Sequence, residues 1–98
     1  MNHQINLITT DGKKIQLEEG VFGRDGQGRD FIKNNSNISR VHARFFIIHE
    51  SWFIEDYNSI NGTFLNGEKL EPFEKVKLKS DDEISFSSGF KVKVELEK

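Results

Sequence analysis

The chain has 98 residues, 14 Lys and Arg against 16 Asp and Glu, no Cys, and an 11% aromatic share that includes nine Phe. That length fits a core but not a core plus a separate catalytic lobe, so one domain spanning residues 1–98 is expected. A formal charge of −2 gives no field to draw the chain onto DNA, RNA or an anionic membrane, and the lack of Cys rules out disulfide frameworks and Cys-based zinc sites.

Ile5 and Leu7, then Ile15 and Leu17, repeat with a period of two on either side of Thr10-Asp11-Gly12-Lys13, which predicts a hairpin of two paired strands. The segment from Gly20 to Asp30 carries four glycines and two arginines. It predicts a loop that can take unusual backbone angles and present cationic forks. No Gly-Lys-Ser/Thr follows it, as in a nucleotide phosphate loop, and no helix is expected after it, as in a dinucleotide fingerprint. Ala43 to Ile48 and Trp52 to Ile54 are nearly continuous apolar runs broken by His49-Glu50-Ser51. They predict two central strands with Phe45, Phe46, Trp52 and Phe53 in the core. Ile84 and Phe86 alternate with Ser85 and Ser87 before a Ser88-Gly89 turn, and Phe90, Val92, Val94 and Leu96 alternate with charged residues in a half-buried last strand. No stretch sustains a 3.6-residue period. The fold class is therefore all-β, an antiparallel sandwich or barrel with no helix of consequence.

Charge is unevenly placed. All four arginines (Arg24, Arg29, Arg40, Arg44) fall in one stretch, Phe31 to His49 contains no acid, and Tyr57 to Gly67 contains no charge. Two loop regions thus lack the carboxylates that would repel an anion. Three segments stand out on predicted loops, where binding residues tend to lie: Gly23-Arg24, then Asn37 to Ala43, then Asn58 to Gly67. The three histidines, His3, His42 and His49, have no metal-ligand spacing, so neither a metal nor another cofactor is expected. No apolar run approaches the ~18 residues of a membrane span, and the N-terminus has neither a basic nor an apolar leader region, so a soluble cytoplasmic protein is expected.

Gly23-Arg24, Ser39-Arg40-Val41-His42 and Ser59-Ile60-Asn61-Gly62-Thr63-Phe64-Leu65-Asn66-Gly67 stand in the order and at roughly the spacing of the forkhead-associated (FHA) family, which this chain resembles over essentially its whole length. Leu78-Lys79-Ser80-Asp81-Asp82-Glu83-Ile84 is similar to the family's Leu-x-x-Gly-Asp-x-Ile, read with Ser80 for the Gly. The resemblance implies a sandwich of two twisted, mainly antiparallel sheets with about eleven strands and the recognition loops gathered at one end. It implies a module that binds phosphothreonine in partner proteins within Ser/Thr-kinase-linked signalling, without catalysis and as a monomer. The alternative is a phosphate-independent interaction or dimerisation module on the same fold.

Residue roles follow from the resemblance. Arg24 matches the residue that grips phosphate oxygens with a planar fork, and it reads as an exposed loop arginine whose loss costs little stability. Ser39 matches a phosphate-bonding hydroxyl, and Arg40 a second phosphate contact. Asn61 matches the amide that holds the ligand's main chain, against a turn-only role filling a positive φ beside Gly62. Ser59 and Ile60 complete the ligand-facing loop. Ile60 stands where many members carry a polar or basic residue, which points to an apolar contact. Gly23, His42, Gly62 and Thr63 match loop scaffold. No Ser-His-acid order or paired carboxylates suggest an enzyme.

Overall fold

The computed structural model describes residues 4–32, 34–87 and 89–97. Ten strands and one short helix run in the order β1 (Gln4–Thr9), β2 (Lys14–Leu17), β3 (Gly20–Phe22), α1 (Arg29–Ile32), β4 (Ala43–Ile48), β5 (Ser51–Asp56), β6 (Thr63–Leu65), β7 (Glu68–Lys69), β8 (Val76–Lys77), β9 (Glu83–Phe86) and β10 (Lys91–Glu97). They form a six-stranded sheet, β2-β1-β10-β9-β6-β7, and a four-stranded sheet, β3-β4-β5-β8, with every strand pair antiparallel. This is the expected sandwich, with ten strands among the described residues where about eleven are expected. The region after the Gly-rich loop does contain a helix, α1, but at four residues it is one turn and carries no dinucleotide logic.

The first hairpin follows its sequence signal. Ile5 pairs with Leu17 and Leu7 with Ile15, and Gly12 takes φ 88°, where a side chain would be strained. Between β4 and β5 the turn is two residues, not three: His49 (φ 48°) and Glu50 (φ 66°) are both left-handed, the geometry that matches strand twist, adopted without the usual Asn or Gly. The predicted turn at Ser88-Gly89 lies partly outside the described residues, because Ser88 is not described.

The inner faces of both sheets supply the core: Ile5, Leu7, Ile84, Phe86, Val92 and Val94 from one, and Phe22, Ala43, Phe45, Trp52 and Ile54 from the other. Phe22 stacks on Phe86 at 4.4 Å and meets Phe45 edge-on at 6.0 Å, so three aromatic rings close the sandwich near its loop-bearing end. Phe46 and Phe53 do not join this cluster. Strand alternation turns them outward, where they pair across β4 and β5 with centroids 5.9 Å apart and Arg44 lies 4.7 Å over Phe46. An apolar run on a strand of a two-layer fold sends only every second residue between the sheets, so Phe46 is buried as expected but on the other face, and Phe53, half-buried, is corrected.

The reading of the segment 78–84 also shifts by one position. Counting Leu-x-x-Gly-Asp-x-Ile onto Leu78 to Ile84 places the Gly at Asp81, and Asp81 is the residue that takes φ 73°. Ser80 does different work: its hydroxyl accepts from Leu96 N at 3.1 Å. Asp82 then turns inward and holds Lys79 N and the Asn66 amide at 2.7 and 3.0 Å. Among the described residues no helix is long and apolar enough to cross a membrane.

Candidate functional site

Register brings the three singled-out segments together. Phe22 pairs with Ala43, and Ala43 with Asp56, so the end of β3, the start of β4 and the end of β5 lie side by side. Their loops, residues 23–28, 34–42 and 57–62, therefore leave the sandwich at the same end. The last of them crosses into the other sheet at Thr63, the first residue of β6.

The first loop is tied to the second by main chain. Arg24 N donates to Ser39 O at 3.2 Å and Asp25 N to Arg40 O at 3.0 Å. This close approach leaves no room for a side chain at Gly23, where a Cβ would stand 2.3 Å from Arg40 O and 2.8 Å from Ser39 O. Arg24 is half-buried, not exposed as the sequence suggests, and its Nε donates to Ile38 O at 2.6 Å. That bond fixes the plane of the guanidinium. Among the described residues neither terminal nitrogen of Arg24 has a hydrogen-bond or ion-pair partner, which leaves the fork available to an anion.

Ser39 and His42 lock the second loop onto the third. Ser39 is buried, its N donates to His42 Nδ1 at 3.0 Å, and its Oγ accepts from Ile60 N at 2.9 Å. The bond into Ser39 Oγ occupies a lone pair and leaves the hydroxyl proton free to donate. Since His42 Nδ1 accepts, the ring proton sits on Nε2 and is donated to Gly62 O at 2.9 Å. A neutral imidazole with one donor and one acceptor is what this bridge requires.

Burial pushes the His42 pKa below 6.5, against smaller upward effects from the Gly62 carbonyl and the Asp56 charge. A depressed folded-state pKa means the unfolded chain binds the extra proton first. Stability from this group is complete above pH 6.5 and falls as pH drops from there toward the folded-state value, with a slope of at most ~1.4 kcal/mol per pH unit. Thermal unfolding followed between pH 7.5 and 5 is expected to show this fall in the native chain. A His42→Gln variant should show less of it, and an equal slope in both would exclude His42 as its source.

The third loop is organised by a residue that the sequence reading passed over. The buried Asp56 carboxylate accepts from Ser59 Oγ at 2.5 Å and Thr63 Oγ1 at 2.6 Å through Oδ1, and from Ser59 N at 3.1 Å through Oδ2. Thr63, fully buried, thus links the two sheets through Asp56. Ser59 spends its hydroxyl proton on this carboxylate, so it holds the loop and does not face outward as a donor. A signal existed in the sequence: an Asp at a strand end with Ser three residues later fits a side-chain-to-backbone turn.

Positive φ within this loop falls on Asn58 (54°) and Gly62 (84°) and not on Asn61, so the turn geometry does not demand Asn at 61. Asn61 is exposed and reaches back to the second loop, its Nδ2 donating to Asn37 O at 2.8 Å. Ile60 projects from the rim at 82% exposure, and Arg40 is also exposed. Arg24, Arg40, Ile60 and Asn61 thus lie on loops at one end of the sandwich, with buried Ser39, Gly23, His42, Gly62 and Thr63 and half-buried Ser59 on the same loops and at the start of β6. Among the described residues no cluster of three or more His, Asp or Glu could hold a metal.

The sequence model of the FHA domain matches residues 20–87, from the start of β3 to just past β9 and across all three loops. The chain belongs to the FHA domain family. It is 34% identical over 88 residues, 87% of its length, to the human nuclear inhibitor of protein phosphatase 1. It spans only about a quarter (24%) of that relative. Its fold superimposes on the N-terminal FHA domain of S. cerevisiae RAD53P, solved with a phosphothreonine peptide, at a TM-score of 0.80 and 22% identity, covering 96% of this chain and 94% of that one. A further FHA domain, solved in an analysis of phosphothreonine-dependent FHA interactions, is 27% identical with a TM-score of 0.75, covering 97% of this chain and 98% of the other.

Proposed function

We propose that this FHA domain, acting as one binding module over its 98 residues, recognises phosphothreonine in partner proteins within Ser/Thr-kinase-linked signalling, and catalyses nothing. One observation carries the reading: Arg24 is pinned through Nε to the carbonyl of Ile38, the residue before Ser39, with its terminal nitrogens uncommitted among the described residues and the Ser39 hydroxyl left able to donate. Membership of a family whose 27%-identical member makes phosphothreonine-dependent interactions supports it. Arg40 adds positive charge on the same surface, and no acid lies between Phe31 and His49.

A phosphothreonine brings roughly −1.5 to −2 charges and three acceptor oxygens, and each charge-assisted bond is worth ~1.5–3 kcal/mol. In this reading Asn61, exposed and anchored on the second loop through Nδ2, bonds the ligand's main chain with its amide oxygen, which has no partner among the described residues. A modular contact of this size corresponds to micromolar binding, about −8 kcal/mol. Calorimetric titration with a degenerate phosphothreonine peptide library is expected to show that affinity. Phosphoserine should bind at least about fourfold more weakly if the threonine methyl is buried, and unphosphorylated peptide not at all. Equal binding of phosphorylated and unphosphorylated pools would sink the reading and leave phosphate-independent assembly in its place.

A further inference from the structure

The outer face of the six-stranded sheet holds a groove of about 400 Å³ that starts at Asn37 and Asn61, the two residues whose hydrogen bond ties the third loop to the second. Its floor is a row set by strand register: Phe64 on β6 pairs with Ser85 on β9, which pairs with Lys91 on β10. Outward-facing residues in paired positions lie side by side, so the floor runs from a half-buried aromatic ring, over a small hydroxyl, to an exposed cation. Among the described residues no ion pair engages Lys91, and the one acid lining the groove, Glu83, lies two residues along β9 from that row.

We propose that this groove binds the part of the phosphopeptide that continues past Asn61, favouring an apolar side chain over Phe64 followed by an acidic one at Lys91. The occupant is the same ligand, because the groove is continuous with Asn61 and shares that residue with the phosphate-binding surface. Two inter-strand steps of ~4.8 Å separate Phe64 from Lys91, a distance that about three residues of extended chain cover at ~3.3 Å each. The ordering of apolar floor and then cation makes the selectivity one of sequence as well as length. Ser85 matters by being small, since a longer side chain there would block the passage.

This inference rests on the phosphothreonine reading, and the test separates the two. The probes are a short phosphothreonine peptide with one flanking residue on each side, and peptides extended by five residues on either the N- or the C-terminal side with a Leu and then Glu or, as control, Lys. The Glu-bearing extension on one side is expected to bind about tenfold more tightly than the short peptide. In Lys91→Glu that gain should vanish and pass to the Lys-bearing extension, while short-peptide affinity stays unchanged. Ser85→Arg should abolish the gain for both. A short peptide that binds with no gain from either extension, or a gain indifferent to both substitutions, overturns the groove and leaves phosphothreonine binding intact. Failure of every phosphopeptide to bind overturns both.

Discussion

Arg24→Ala is expected to weaken phosphothreonine-peptide binding by at least about a hundredfold, because it removes a fork able to make two charge-assisted bonds of ~1.5–3 kcal/mol each to a dianion. The variant should remain folded. It loses one bond, Arg24 Nε to Ile38 O, which is worth ~1 kcal/mol and lowers Tm by roughly 4–8 °C for a domain of this size. Arg24→Lys separates charge from geometry. An ammonium keeps the attraction but has neither the Nε–H for Ile38 nor the planar pair for two oxygens, so its affinity should fall between the two. Calorimetry and thermal unfolding on the same preparations give both readouts. Folded Arg24→Ala that binds as well as the native chain would remove Arg24 from the phosphate site, and an unfolded variant would make it chiefly a strut between loops.

A larger loss of stability is expected at a residue outside the proposed peptide contacts. Three donors converge on the Asp56 carboxylate, and Asp56→Ala leaves Ser59 N, Ser59 Oγ and Thr63 Oγ1 without their acceptor in a site where Asp56 and Thr63 are buried. The cost is about 3–4 kcal/mol, a fall in Tm of more than about 10 °C. Asp56→Asn keeps the volume and one oxygen. Its amide nitrogen then confronts Ser59 N–H, so it should cost less than alanine but more than Thr63→Val, which withdraws a single donor. Binding should fall with stability even though Asp56 makes no proposed contact with ligand, since Ile60 N reaches Ser39 Oγ only from a loop that Asp56 holds in place. A Tm within a few degrees of the native value in Asp56→Ala would show that the loop is set by its own backbone.

The fold was legible wherever the sequence is periodic. Ile5, Leu7, Ile15 and Leu17 announced the first hairpin, and Val92 and Val94 the last strand, because a strand with one wet face must alternate. Alternation is silent where both faces are apolar, so the sequence could not tell that Phe46, though buried, and half-buried Phe53 pack on the outer face of their sheet and not between the two sheets. The positive φ of Asp81 was likewise hidden, since the local signal that usually marks it, a glycine, is absent.

The phosphate-binding proposal divides along the same line. By itself the sequence determined an all-β domain with three candidate loops, two of them free of acids, and the ordered Gly-Arg, Ser-x-x-His and Asn-Gly pattern within them, because residue types and their order are local properties. Tertiary structure alone decided that these loops meet, that Arg24 is held by Ile38 O, that His42 must carry its proton on Nε2, and that Asp56 fastens the third loop to both sheets. Three of the bonds behind this, Arg24 Nε to Ile38 O, His42 Nε2 to Gly62 O and Thr63 Oγ1 to Asp56 Oδ1, span 14, 20 and 7 residues of chain. Whether a given carbonyl or carboxylate lies at the far end of such a bond depends on strand register, which no single segment contains.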